Sequence, residues 1–326
     1  MGASRKEARR ELARRVGRAQ PQFIAVEAML RDKGIVPEYW ELNESGSQIA
    51  DGCAFQLHLE WSTFPEAATL QGASLPADRI ERKTLQIENM IWHARILIRQ
   101  LLTRNNVAQR SALHIVDFCG GSGSISLPLA VLYPEHRFTM VDCKSASVDM
   151  ARERAASAGV SNLRIVEQKI EDFAEPFDLG LALHACGSAT DLVLQACLRT
   201  SAAFVLCSCC VGKVTFSRNS PLSQQLQPLL TTAEFCSLIK AADFGHADFA
   251  GYSSQERQRR YCKSLIEEDR LLFAKERGYC VQLHLMRGGF SSVKCDVLTG
   301  TPNEDLTADC LFRRTKLSLE TFLFPT

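Results

Sequence analysis

From Leu113 to Cys207 the chain alternates short apolar runs with helical stretches, and this alternation leaves it few folds. The apolar runs cover 113–118, 138–141, 163–166, 179–183 and 204–207, with helix-spaced stretches at 127–132, 148–158 and 190–198. Strands separated by helices pair side by side rather than as hairpins, so the expected architecture is a doubly wound, mostly parallel α/β sheet. With 326 residues and 46% apolar content, the chain can bury one such core and still carry an extension.

The flanks extend this picture. Over 78–104, Ile80, Leu85, Ile87, Ile91, Ala94, Ile98 and Leu101 share one face of a helix that leads into the first core strand. After Gly212 comes a polar stretch with Pro221 and Pro228, then a helix expected over 254–276 and closed by Gly278. Two strands follow, 280–286 and 293–298, joined through Arg287-Gly288-Gly289, and this hairpin-like close makes the last strand antiparallel. Residues 21–77 read as a small α+β extension, with a half-buried strand through Phe55, Leu57, Leu59 and Trp61. The expected division is an Arg-rich leader (1–20), the extension (21–77), the main domain (78–302) and a peripheral tail (303–326).

Charge and cysteine content exclude some classes. Lys plus Arg (38) nearly balance Asp plus Glu (37), so any nucleic-acid surface must be local rather than a field of the whole molecule. Thirteen cysteines, an odd number scattered through core strands, fit thiols in a reducing compartment, and the expected location is cytoplasmic. No apolar run has bilayer length, and the N-terminus lacks the apolar segment of a secretory signal. The Arg-rich stretch 4–18 is open to three readings: a solvated helix, an RNA-contacting tail or an organelle-targeting peptide.

The first strand ends at Asp117 and runs into the turn Cys119-Gly120-Gly121-Ser122-Gly123, where glycines let backbone approach a ligand at the sheet edge. Asp142 closes the next strand 19 residues past Gly123, about the spacing of an acidic side chain that binds ribose hydroxyls. A capping or surface carboxylate is the alternative for Asp142. A dinucleotide fingerprint needs a third glycine, but the run from Gly121 reads Gly-Ser-Gly-Ser-Ile-Ser. Asp117 ahead of the turn suits a cofactor whose amino acid end carries an ammonium, and the balance favours S-adenosylmethionine over NAD.

A third strand ends at Leu183-His184-Ala185-Cys186-Gly187, with a helix starting near Asp191. His184 and Cys186 therefore fall beside the bound ligand, with general base or packed core residue as the two readings of His184. Thr190 and Asp191 can equally cap the helix. Cys207, Cys209 and Cys210 end the following strand near His184 and Cys186, but no C-x2-C pair with a matching second pair is present, and no metal is assigned.

Taken together, Val116-Asp-Phe-Cys-Gly-Gly-Ser-Gly123, Leu183-His-Ala-Cys-Gly-Ser-Ala-Thr-Asp191 and Cys207-Ser-Cys-Cys-Val-Gly-Lys213 resemble the methyltransferase-like domain of the glutathione S-transferase C-terminal domain-containing proteins. The resemblance runs from about Asp78 to Pro302. That domain is similar in turn to tRNA 2′-O-methyltransferases that share Cys-Gly-x-Ala-Thr-Asp. It implies a Rossmann-like class I methyltransferase fold, S-adenosylmethionine as cofactor and RNA, tRNA first, as partner; an interaction through the N-terminal extension is a further expectation. The implied cofactor contacts are Arg82, Gln86, Asp117, Cys119, Gly121, Gly123, Asp142, Ile170 and Leu183, with Lys83 on the same helix as Arg82. His184, Cys186 and Asp191 are the candidate catalytic group, His184 as proton acceptor and Asp191 as the residue orienting the loop. The chain departs from the family pattern at Cys119, where a glycine is usual, and at Cys295, where an asparagine is expected.

Overall fold

The computed structural model describes residues 23–42, 57–71, 77–104, 112–208, 210–243, 254–287, 295–302 and 314–318. The Arg-rich leader, Phe55, Cys209 and the Gly288-Gly289 link lie outside these residues.

The chain begins with helix α1 (23–32), whose Phe23, Val26 and Leu30 are buried, and strand β1 (Glu38–Leu42). Helix α2 (Ala77–Arg104) leads to β2 (His114–Phe118), α3 (Ser126–Leu132), β3 (Arg137–Asp142), α4 (Ser145–Ser157) and β4 (Leu163–Glu167). Then come β5 (Leu179–Leu183), α5 (Ser188–Arg199), β6 (Ala203–Cys207), α6 (Thr232–Ala242) and α7 (Ser254–Lys275). Strands β7 (Tyr279–Leu285), β8 (Asp296–Pro302) and β9 (Arg314–Ser318) complete the order.

These strands form one sheet in the order β4-β3-β2-β5-β6-β8-β7-β1-β9. From β4 to β6 every pair is parallel, as the strand–helix alternation demands. Strand β8 is antiparallel to both neighbours, inserted between β6 and β7 with Phe204 opposite Gly300. The doubly wound sheet with an antiparallel closing pair is therefore the expected Rossmann-like class I arrangement. The sheet continues past it: β1 runs parallel to β7, and β9 pairs antiparallel with β1. One strand from the expected extension and one from the expected tail thus share the main sheet.

Period-two alternation divides the core. Ile115, Leu179, Leu181, Val205 and Val297 point to the layer of α2 and α3. Val116, Phe118, Ala182, Phe204, Leu206 and Leu298 point to the layer of α1, α5, α6 and α7. Both layers are needed because the strands are buried on both faces.

One expected strand is absent. Residues 57–60 form no strand and Trp61–Thr63 is a 3-10 turn. The cause lies in α2 and in a tight turn: the Leu59 N–H donates to the Glu88 carboxylate at 3.0 Å instead of to a ladder, the Trp61 backbone N–H closes on the Leu59 carbonyl at 2.9 Å, and the Trp61 indole N–H adds a second bond to Glu88 at 2.8 Å. The last core strand is also displaced, from the expected 293–298 to Asp296–Pro302. Among the described residues no helix is long and apolar enough to cross a membrane.

Candidate functional site

Because β2, β3, β5 and β6 are parallel, their C-terminal ends meet along one sheet edge, where doubly wound folds hold ligands. The turn after β2 is built from backbone: the Gly123 N–H reaches the Gly120 carbonyl at 2.9 Å, and the Gly120 N–H reaches Val141 of β3 at 3.3 Å. Asp142 ties it down, accepting from the Gly121 N–H at 2.9 Å and, on its other oxygen, from the Lys144 N–H at 2.9 Å. The predicted neighbours Gly121, Gly123 and Asp142 are thus brought together. Gly120 is fixed by space, since a Cβ there would overlap the Met140 side chain and the Asp117 carboxylate.

Cys119, which stands where a glycine is usual, adopts φ 56°, a left-handed conformation costly for a residue with a Cβ. Burial, with the Asp142 and Asp117 carboxylates beside it, pushes its thiol pKa up to about 12. It stays a neutral thiol rather than a nucleophile.

Asp117 is 2% exposed, and the donors beside it among the described residues are the Ser126 hydroxyl and backbone N–H, which do not reach full hydrogen-bonding geometry. Burial holds its pKa up at about 7, the Ser126 hydroxyl and N–H opposing the rise and the Asp142 charge adding to it. A buried carboxylate so weakly hydrogen-bonded is an expensive group, and it lies directly under the glycine turn. An ammonium is the natural complement, so Asp117 fits the amino acid end of S-adenosylmethionine.

Gln86 and Arg82 come from α2, Gln86 buried and Arg82 exposed. The Gln86 amide oxygen lies 3.2 Å from His184 Nε2, at the end of β5. In the tautomer that suits this contact Nε2 donates to the Gln86 amide oxygen and Nδ1 is the basic nitrogen. His184 is half-buried and sits at φ 64°, a strained conformation at the site edge. Leu183 (8% exposed) and Ile170 (9% exposed) are apolar groups of two core layers at this edge, and Cys186 is half-buried in the loop beyond His184.

That loop is held from several directions. The Thr190 hydroxyl donates to the Ala185 carbonyl, and the Gly187 N–H reaches the Cys210 carbonyl at 2.9 Å. Asp191, in the first turn of α5, is 4% exposed and both its oxygens are taken, by Arg270 Nε at 2.7 Å and Arg218 Nε at 2.9 Å. Burial pushes its pKa up, but the two guanidiniums outweigh burial and hold it below the usual range. Clamped in this way, Asp191 does not reach an acceptor. It ties the loop after β5 to Arg218 and to α7, while His184 and Cys186 lie in the loop itself.

Among the described residues no group of three His, Cys, Asp or Glu side chains is placed to hold a metal. Burial pushes the Cys207 thiol pKa up, keeping it protonated, as suits a packed core residue.

Three arginines escape a reading of the sequence. Arg154 of α4 reaches Ser122 of the glycine turn, Arg218 joins Asp191 to Asp269 at 3.0 Å, and Arg270 joins Asp191 to Glu267 at 2.8 Å. Arg154 and Arg218 carry no motif that assigns them a role. For Arg270 a signal exists, since Arg260, Lys263, Glu267 and Arg270 recur on one face of α7, the face that is buried.

Residues 82–216 match the family model of a methyltransferase domain. Over 248 residues the chain is 32% identical to the mouse glutathione S-transferase C-terminal domain-containing protein, a match covering 75% of this chain and 37% of the relative. The chain therefore spans well under half the length of that curated relative. A shorter match, 36% identity over 70 residues, is to the ribosomal RNA small subunit methyltransferase G of Methylococcus capsulatus, covering 21% of this chain and 34% of that protein. Among solved structures, magnesium protoporphyrin IX methyltransferase from Synechocystis with bound SAM aligns with TM-score 0.36 and 12% identity, over 66% of this chain and 80% of that one.

Proposed function

We propose that this chain is an S-adenosylmethionine-dependent methyltransferase whose leading acceptor class is RNA, tRNA first. The observation that carries the cofactor reading is Asp117: a buried carboxylate with only Ser126 as a weak donor, beneath a glycine turn that Asp142 holds in place. The methyltransferase-domain match over the same residues supports it. For RNA the support is the Leu183–Asp191 element and the short likeness to a ribosomal RNA methyltransferase.

In this reading Asp117 pairs with the ammonium of the cofactor's amino acid end, and Arg82 and Gln86 of α2 lie over that end. The backbone of Cys119, Gly121 and Gly123 cradles the cofactor beside Asp142, with Ile170 and Leu183 as apolar walls. Bound S-adenosylmethionine supplies a methyl group on a sulfonium, from which a thioether leaves readily. The protein then contributes mainly alignment, worth about 7–11 kcal/mol in favourable cases. For a hydroxyl acceptor, His184 Nδ1 takes the proton while Gln86 fixes the ring through Nε2, a general-base contribution of roughly 10²- to 10⁴-fold. Cys186 borders the acceptor side of the loop.

A protein or small-molecule acceptor is the second reading, favoured by the nearly balanced charge of the chain. Salt separates the two, because phosphate contacts make RNA binding fall steeply with ionic strength. A third reading keeps cofactor binding without turnover, and the strained Cys119 in the cradle favours it.

The deciding experiment is calorimetric titration of the chain with S-adenosylhomocysteine, beside Gly121→Val and Asp142→Ala. Binding by the wild type and its loss in both variants is expected. No binding by the wild type refutes the cofactor assignment. Where binding holds, His184→Ala should lower methyl transfer to a tRNA pool while leaving cofactor affinity nearly unchanged; undiminished transfer would remove His184 from the mechanism.

A further inference from the structure

Residues 57–71 cross from α2 to the outer side of the glycine turn, and both crossings are specific. At the first end, Glu88 of α2 is 3% exposed and accepts from three groups of the segment. These are the Leu59 N–H at 3.0 Å, Trp61 Nε1 at 2.8 Å and His58 Nδ1 at 2.9 Å. At the other end Ala68 packs with Leu127 of α3 and Ala155 of α4, and Leu70 joins the α2 core layer.

The second crossing is made by one side chain. Arg154 Nε donates to the Ala67 carbonyl at 2.9 Å, one terminal nitrogen to the Thr69 carbonyl at 2.6 Å, and the other to the Ser122 carbonyl at 2.5 Å and hydroxyl at 3.2 Å. The guanidinium is buried and every one of these acceptors is a neutral oxygen. Burial lowers its pKa to about 10, and this cation in turn adds to the depression that burial imposes on Lys83 of α2. Among the described residues no carboxylate pairs with it, and such a buried cation gives little stability for its desolvation. What it does supply is geometry: a planar fork that fixes three backbone carbonyls at once.

Ser122 is flanked by Gly121, whose N–H is held by Asp142. The path therefore runs from the segment through Arg154 and Ser122 into the cradle. We propose that residues 57–71 form a strap that sets the shape of the cofactor cradle, with Arg154 as the positioning residue between strap and turn. The proposal rests on the cofactor reading above, and it adds a segment outside the matched methyltransferase domain to the working site.

The test uses the full chain, S-adenosylhomocysteine as probe, and the variants Arg154→Lys and Glu88→Gln, with calorimetry for affinity and hydrogen exchange resolved by peptide. Lysine offers a point charge in place of the fork, and Glu88→Gln loosens the far end of the strap without touching the turn. Each folded variant should bind about 10- to 100-fold more weakly, the loss expected for one charged hydrogen-bond set that preorganises a site. In the wild type, the probe should slow exchange across residues 57–71 as well as 119–123, a ligand-linked response that a merely structural strap does not give. Wild-type affinity in a folded variant, or strap exchange unchanged by saturating probe, overturns the proposal. If Arg154→Lys does not fold, Glu88→Gln decides alone. If the wild type does not bind the probe, the cofactor reading fails separately. The strap link then stands or falls on whether Glu88→Gln speeds exchange in 119–123 of the free protein.

Discussion

Arg270 Nε donates to Asp191 Oδ1 at 2.7 Å with both side chains buried, and this pair joins the loop after β5 to helix α7. The same guanidinium reaches Glu267 at 2.8 Å and the Gly187 carbonyl at 3.2 Å, so one side chain bridges two carboxylates and braces the loop backbone. The network continues along α7: Lys263 Nζ bonds Glu267 at 3.0 Å and Asp296 at 2.6 Å, and Arg260 pairs with Asp296 beside Tyr39 of β1. Burial raises the Asp296 pKa, but Arg260 and Lys263 more than offset this and hold it at about 2.

Removing one partner from such a network leaves buried charge without compensation, which costs far more than the intact pair contributes. Arg270→Ala should therefore lower stability by about 3–5 kcal/mol in urea unfolding. A loss below about 1 kcal/mol would mean that water or rearranged neighbours solvate Asp191 and Glu267, and the bracing role would fall with it.

Cys119 offers a cleaner measurement, because its backbone conformation and its sulfur can be separated. Alanine and glycine both remove the thiol, but only glycine removes the Cβ that φ 56° disfavours. Cys119→Gly should exceed Cys119→Ala in stability by about 1 kcal/mol at this left-handed position. Equal stabilities would show that the turn relaxes to accept a side chain.

The sheet was legible because its signal is repetition: β2, β3, β5 and β6 are apolar runs at helix-separated intervals, and burial on both faces leaves little other reading for them. The cradle was legible for a related reason, since glycines and a trailing acid at Asp142 are local chemistry. Residues fixed by distant partners were not. Leu57, Leu59 and Trp61 carry a strand's alternation, yet Glu88, 29 residues beyond Leu59, takes the Leu59 N–H that a ladder would need. Helix α6 went unread although Thr231 and Glu234 form a capping box that its sequence displays. In α7 and α4 the charged residues that matter most, Arg270 and Arg154, resemble a solvated face until the partners that bury them are known.

His93 gives the protein an acid limit. It is 3% exposed, its ring centroid lies 4.7 Å from that of His284, and its Nε2 has no hydrogen-bond partner among the described residues. Burial, with the His284 and Arg287 charges opposed to it, holds its pKa well below 6.5. The unfolded chain binds a proton there that the folded chain refuses, so stability falls as pH drops below about 6.5 and is flat above it. The slope approaches about 1.4 kcal/mol per pH unit for this one group. Urea midpoints of the wild type and His93→Phe, compared between about pH 5 and 7, should differ in slope; parallel curves would show that the ring takes up its proton without cost.

Asp117 works with the opposite sign. Its pKa of about 7, raised by burial above the ordinary 3.8, means that the folded chain binds a proton more tightly than the unfolded one. The stability this lends is fully present below pH 3.8 and is lost as pH climbs through 7. Cofactor binding draws on the other protonation state, because an ammonium pairs with the carboxylate and is repelled by nothing in the neutral acid but gains nothing from it either. The affinity for S-adenosylhomocysteine should therefore be level above about pH 7 and decline toward tenfold per pH unit beneath it, while the ligand's amino group stays protonated throughout. Asp117→Asn removes the titrating group, and its affinity should be lower at pH 8 but nearly independent of pH down to about 6. Calorimetry across that interval checks both curves. A wild-type affinity that does not change with pH would mean that Asp117 meets no ammonium and that its buried carboxyl serves the turn alone.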